Sequence, residues 1–349
     1  MTFDHGLHSP TDEQKLHQLR QLPCFAQQTV SNISVIEAGL SQASFHVACE
    51  GKSYFAKYLV ENSIEPRVSQ LTAAHGLSPK VIYAEQHWLI TEFIVGQGLE
   101  KSKQSEDEKL AITISLLKQC HAISCHVQDN KEQAVLSSVP TLDIPVIISQ
   151  LLQQLKLSKA QTQVLKSLIY LLQQNLVKAY SDVDNFKLVL CHGDANFSNV
   201  MAAENSLATA KVTGRDKDRE IAHQLLDFEC ARMAPPEYDL AMLMAVNDID
   251  FSKAEMINTR YQQMKQAPNK ADNIVDNVSS SLNKTSVVTE NSLLTVTCYY
   301  DLSVLINALW YFEQYQRQQL VKYKILAIKQ LTALAIRYPQ ANEVIDEMR

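Results

Sequence analysis

Residues 188–201 read LVLCHGDANFSNVM, and residues 224–241 read QLLDFECARMAPPEYDLA. The run Leu188 to Cys191 is short and apolar, the pattern of a buried strand, and it ends at His192-Gly193-Asp194. Four residues then separate Asp194 from Asn199. Leu225-Leu226 is a second strand-like run, and it delivers Asp227, Phe228 and Glu229. A loop whose Asp and Asn only cap helices is the plainer reading, but the apolar runs on both sides count against it.

These residue types suit phosphoryl transfer. A hydroxyl that attacks a phosphate must be oriented and relieved of its proton, and Asp194 is the candidate acceptor of that hydrogen bond. Phosphate charge calls for Mg²⁺, a hard cation that takes oxygen ligands. Asn199 offers an amide oxygen and Asp227 a carboxylate. The spacing His-x-Asp-x₄-Asn, followed by apolar-Asp-Phe, is that of a kinase catalytic loop and the metal-binding Asp after it.

HGDANFSNV followed by LLDFECARMAPPEYDLA resembles the aminoglycoside phosphotransferase and choline kinase superfamily, and the resemblance extends over roughly residues 30–340. It implies an α+β, two-lobed protein-kinase-like fold. The N-terminal lobe, residues 1–95, would hold a small antiparallel sheet, and the C-terminal lobe, residues 96–349, would be mainly helical. ATP and Mg²⁺ are the implied cofactors. Asp194 becomes the catalytic residue, Asn199 and Asp227 the metal ligands. His192 supports the site, as does Asp239 of the Tyr-Asp-Leu-Ala run, which helps hold the catalytic loop.

The nucleotide side is sought upstream. From Ile33 to Leu59 apolar and polar residues alternate around two turn signals, and Glu50-Gly51-Lys52 is the better hairpin tip. The loop AGLSQAS contains only Gly39, where protein kinases use three glycines, but Ser41 and Ser44 supply hydroxyl donors. Lys57, in FAKYL, matches the strand lysine that reaches the nucleotide phosphates and pairs with a helix Glu. Glu65 fits that partner by its distance to Pro79, yet Pro66 puts it at a helix start. Glu61 is the alternative. WLITEFIVGQGL reads as a strand and a glycine-broken connector. The resemblance makes it the hinge, where backbone groups from Glu92 to Ile94 meet adenine.

The remainder reads as helices and two polar inserts. Helices are expected over residues 11–28, with Thr11 as N-cap, and over 106–128, 144–156, 159–180, 293–317 and 320–337. Cys120, His121, Cys125 and His126 fall on one helix. Neighbours at i+1 diverge there and i+5 pairs do not converge, so they are expected to pack rather than bind zinc. Residues 202–223 are polar and charge-mixed and read as a surface insertion. Residues 266–292, rich in Asn, Ser and Lys, read as a linker.

The 349 residues carry a net charge of −6, which excludes a nucleic-acid footprint. The seven cysteines are scattered without a Cys-x-x-Cys, which suits a reducing compartment. The opening MTFDHGLHSPTDEQK lacks a basic region followed by an apolar one, and no long uncharged apolar run occurs. A cytoplasmic protein with no membrane span is therefore expected.

Only eleven residues lie between Asp227 and Asp239, too few for a protein-kinase activation segment. A small alcohol is the expected acceptor. NALWYFEQ resembles the aromatic helix after the core of choline and ethanolamine kinases. That makes Trp310, Glu313 and Glu229 candidate acceptor residues, and choline, ethanolamine or thiamine the candidate acceptors. An aminoglycoside or sugar phosphotransferase is the alternative, and a nucleotide-binding pseudokinase or scaffold is the reading from another class.

Overall fold

A computed structural model describes residues 10–36, 42–85, 87–125, 129–181, 187–203, 222–264 and 282–348. The chain forms a mixed α+β fold in two compact units. One comprises residues 1–140 with 197–231, the other residues 141–196 with 232–349. These units divide the chain elsewhere than the 95/96 boundary read from the sequence.

In the first unit, strands β1 (Val30–Val35), β2 (Ser44–Cys49), β3 (Lys52–Tyr58), β4 (Val81–Glu85) and β5 (Trp88–Glu92) form an antiparallel sheet of order β1-β2-β3-β5-β4. Glu50 and Gly51 make the β2–β3 turn with φ of 49° and 76°, as a two-residue hairpin needs when its strands twist right-handed. The pleat sorts the side chains. Phe45, Val47, Cys49, Tyr54, Ala56 and Ile90 enter one core with Leu19, Leu22 and Phe25 from α1 (Asp12–Arg20) and the turn after it. Lys57, next to Ala56, must then point to the opposite face.

Local chemistry sets the helix ends. Thr11 and Gln14 form a reciprocal capping box on α1, as do Ser105 and Glu108 on α3 (Glu106–Ile123). Helix α1 stops at Arg20 and not at 28, because Pro23 lacks an N–H and disfavours helical backbone just before it. Helix α2 (Glu65–Ala74) ends where Gly76, at φ 74°, lets Gly76 N–H reach Ala73 O and Leu77 N–H reach Thr72 O. Helix α4 (Asn130–Ser138), capped by the Asp129 side chain, was not expected: its one buried residue, Leu136, leaves no amphipathic stripe to read.

A small sheet joins β6 (Gly96–Gly98), β8 (Val200–Ala203) and β9 (His223–Leu225) in the order β6-β8-β9. Gly96 is obligatory there, since a Cβ would run into the Ala202 carbonyl. The β8–β9 pairing takes in Ala202, Ala203 and His223, which the sequence reading had placed in the surface insertion. Residues 204–221 of that insertion lie outside the described residues, as do 265–281 of the expected linker.

The second unit contains α5 (Ile144–Gln154), α6 (Lys159–Ser181), α7 (Pro236–Val246), α8 (Ala254–Gln263), α9 (Leu282–Gln318), α10 (Val321–Ala335) and α11 (Gln340–Met348). Two short strands, β7 (Val189–Cys191) and β10 (Arg232–Ala234), pair antiparallel. Helix α9 packs against α5, α6, α7, α8 and α10. It begins at Leu282 and not at 293, inside the stretch read as a linker, and α11 was not expected. By length and composition Asn291–Gln318 is apolar enough to cross a membrane, with mean hydropathy 1.3. Yet 78% of that window is buried inside the protein, which makes it a core helix.

Candidate active site

The first unit brings three of the expected residues together around one lysine. Lys57, only 4% exposed, lies opposite Ser44 across the β2–β3 ladder. Its ammonium donates to Glu65 Oε2 at 2.9 Å, Asp227 Oδ1 at 2.7 Å and Glu229 Oε2 at 3.2 Å. Glu65 is therefore the helix partner, and it sits in the first turn of α2, as Pro66 required. There the positive end of the helix favours a carboxylate. Glu61 is exposed in the turn before the helix.

Burial works against the charge on Lys57, but Glu65, Asp227 and Glu229 outweigh it and hold the ammonium well above its ordinary range. Burial pushes Glu65 in the opposite sense to its pairing, up to about 8, with Lys57 pulling it down. Three carboxylates against one ammonium leave the cluster with up to two negative charges in excess.

Asp227 has φ 65° and ψ 70°, left-handed backbone in a non-glycine residue. Strain of that kind persists where the surroundings over-determine a side chain's direction. The ligand atoms of Glu65, Asp227 and Glu229 lie within 4.8 Å of one another. This all-oxygen, net-negative donor set suits Mg²⁺. Asn199 ends a 3₁₀ turn, Phe197–Asn199, and its carbonyl accepts the Leu226 N–H at 2.8 Å. Val200 pairs with Leu225, so Asn199 and Asp227 stand at the same end of the β8–β9 ladder.

Two residues of this cluster were not foreseen in it. Glu229, counted from the sequence among the acceptor residues, turns to Lys57. Gln42, which the sequence reading passed over, donates from Nε2 to Glu229 Oε2 at 2.7 Å. Gly39 and Ser41 lie outside the described residues. Ser44 is buried, its hydroxyl 3.4 Å from the Gln42 carbonyl. Glu92 closes β5 with its N–H on Lys80 O at 2.9 Å, and Ile94 follows half-buried in the connector.

The second unit carries the loop with Asp194. Both oxygens of Asp239 are engaged at 2.8 Å by consecutive backbone N–H groups, of His192 and Gly193. His192 and Asp239 are completely buried. Gly193 takes φ 78°, a conformation glycine reaches without strain. The Asp194 N–H lies 3.3 Å from His192 Nδ1. At the other end of α7, Asn247 Nδ2 donates to Ala195 O at 3.1 Å. The loop is thus held by both ends of one helix, and β7 enters it under the cover of β10.

Trp310 is half-buried, with its ring 5.2 Å from Tyr311 and 6.3 Å from Tyr323, both edge-on. Burial pushes the Tyr311 phenol up, with Asp248 and then Asp194 adding to the effect, so both carboxylates are near this aromatic group. Glu313, one turn beyond Trp310, has neighbours of its own on the helix. Its carboxylate accepts from Gln314 Nε2 at 2.5 Å and lies 4.0 Å from Arg317 Nε, one turn further along the helix. Asp248 and Tyr323 were missed because nothing in their own segments marks them.

Among solved structures, an ethanolamine kinase of Plasmodium vivax is similar at 15% identity, over 95% of this chain and 93% of its own, with a TM-score of 0.63. A choline kinase of Streptococcus pneumoniae is similar at 15% identity, over 92% and 99%, with a TM-score of 0.62. A spectinomycin phosphotransferase in complex with ADP and spectinomycin is similar at 16% identity, over 96% and 97%, with a TM-score of 0.51. At such identity the likeness is one of fold, that of protein-kinase-like small-molecule kinases. No curated protein matches the sequence. The family model for choline/ethanolamine kinase matches residues 51–334, from the hairpin that bears Lys57 to the last turn of α10, and the chain belongs to that family of small-molecule kinases.

Proposed function

We propose that the chain transfers the γ-phosphate of ATP to the hydroxyl of a small cationic alcohol of the choline or ethanolamine type. The observation that carries this reading is the aromatic group of Trp310, Tyr311 and Tyr323, with Asp194 and Asp248 close enough to act on Tyr311. An indole face attracts an ammonium through its quadrupole, by roughly 0.5–2 kcal/mol. Carboxylates beside it add Coulomb attraction in a partly desolvated setting. A neutral sugar gains from neither.

Each residue then has a role. Asp194 orients the acceptor hydroxyl and takes its proton, on a turn that His192 and Asp239 hold. Lys57, aligned by Glu65, faces the nucleotide phosphates. Ser41, Ser44 and the backbone from Glu92 to Ile94 complete the nucleotide side. Asn199 and Asp227, with Glu229 beside them, hold Mg²⁺. Bound there, the cation neutralises charge on the phosphates.

The test is an ATP-consumption screen against choline, ethanolamine, thiamine, aminoglycosides and small sugars, with Asp194→Asn as the control. Turnover is expected with a cationic alcohol. The variant should lose about 100-fold or more in kcat while still binding ATP, as for a general base. Turnover of an aminoglycoside alone would make the chain an aminoglycoside phosphotransferase. ATP binding with no turnover of any acceptor would favour a nucleotide-binding scaffold.

A further inference from the structure

Gln42 joins the loop ahead of β2 to the carboxylate cluster. Its carbonyl oxygen lies 3.4 Å from the Ser44 hydroxyl, and the next carbonyl, of Ala43, accepts the Tyr58 N–H at 2.9 Å. The backbone here is therefore tied to the strand that bears Lys57. The side-chain amide donates to Glu229 Oε2 at 2.7 Å, and that same oxygen receives Lys57 at 3.2 Å. This defines which way the amide faces. Turned over, its oxygen would meet a carboxylate oxygen, acceptor against acceptor.

With Nε2 committed to Glu229, Gln42 Oε1 is buried and has no hydrogen-bond partner among the described residues. Buried acceptors are rarely left unsatisfied in a native protein. Phosphate oxygens cannot satisfy this one, being acceptors themselves. A cation can, or a water bound to a cation, and the surrounding charge favours one: Glu65, Asp227 and Glu229 stand against the single ammonium of Lys57. Amide oxygens are ordinary partners of hard divalent cations.

The geometry points to Gln42 as a positioning residue of the cation site: Nε2 holds Glu229 in the cluster, and Oε1 offers a further, neutral oxygen to the cation or its water. This inference rests on the reading of Asn199 and Asp227 as cation ligands. It adds a residue outside the two motifs read from the sequence, just ahead of β2.

Calorimetric titration with ADP, in EDTA and then over a series of Mg²⁺ concentrations, tests it on the full chain. Gln42→Leu should bind ADP in EDTA within about twofold of the unaltered protein. The Mg²⁺ concentration giving half of the metal-dependent gain in affinity should rise about tenfold, the size of effect seen when a supporting partner of a metal site is removed. Gln42→Asn keeps an amide but shortens it, and should shift in the same direction. An unchanged Mg²⁺ requirement in Gln42→Leu overturns the inference. So does an equal loss of ADP binding in EDTA, or a collapse of the unfolding temperature in both variants, since Gln42 would then serve only the fold of its loop. If the unaltered protein shows no Mg²⁺ response, or Asp227→Ala keeps it, the cation-site reading itself fails.

Discussion

Lys57→Met isolates the electrostatics of the cluster. The lysine side chain is 5% exposed and Glu65 3%, whereas Asp227 and Glu229 are 33% and 24% exposed. Removing the ammonium while Glu65 is ionised leaves a buried carboxylate uncompensated, which costs about 3–5 kcal/mol. The two half-exposed carboxylates are screened by solvent and add roughly 0–1 kcal/mol each. A proton limits this penalty. Burial raises Glu65 to about 8 with Lys57 in place, and removal of the ammonium raises it further. A carboxyl whose folded value lies above its unfolded one contributes stability that is full below the unfolded value and is lost as pH rises through the folded value. That loss ends near pH 8 in the unaltered protein and continues to higher pH in the variant. The destabilisation should therefore be about 1–2 kcal/mol at pH 6, from lost hydrogen bonds, and about 3–4 kcal/mol at pH 9. Urea unfolding at the two pH values measures it. Adding Glu65→Gln should flatten the pH dependence and recover stability at pH 9. An equal cost at both pH values, or no recovery in the double variant, would refute the reasoning.

Two further outcomes are expected. Trp310→Leu should raise KM for the cationic acceptor several-fold while KM for ATP and the melting temperature change little, because the ring is only half-buried and meets Tyr311 and Tyr323 edge-on; a lower melting temperature with an unchanged acceptor KM would make it a packing residue only. Because Ala202 is paired with His223, a short Gly-containing turn can bridge the ends of 204–221. That replacement should leave turnover and unfolding free energy unchanged within about 1 kcal/mol, since closure entropy changes slowly with the length of a connection, and a large loss of either would contradict that.

The loop bearing Asp194, the Asp227 turn, the hairpin bearing Lys57 and the Thr11 cap were legible in the sequence. Each depends on neighbours within about five residues: a pleat that alternates side chains, a Thr-x-x-Gln box, a glycine able to take positive φ. Spacing along the chain carries such information directly. Glu65 was read as the partner of Lys57 from its spacing to Pro79, but the rest of what converges on the lysine could not be read that way. Gln42, Glu65, Asp227 and Glu229 come from a loop, a helix and a distant turn, and the sheet and α2 decide which of them meet. The choice of Glu65 over Glu61 and the turning of Glu229 toward the lysine are outcomes of packing. So is the pairing of Glu313 with Arg317, which the sequence had assigned to the acceptor. Helix α4 and the early start of α9 escaped for a related reason: a helix with little amphipathic pattern of its own is stabilised by the elements it packs against, and only the tertiary structure supplies those.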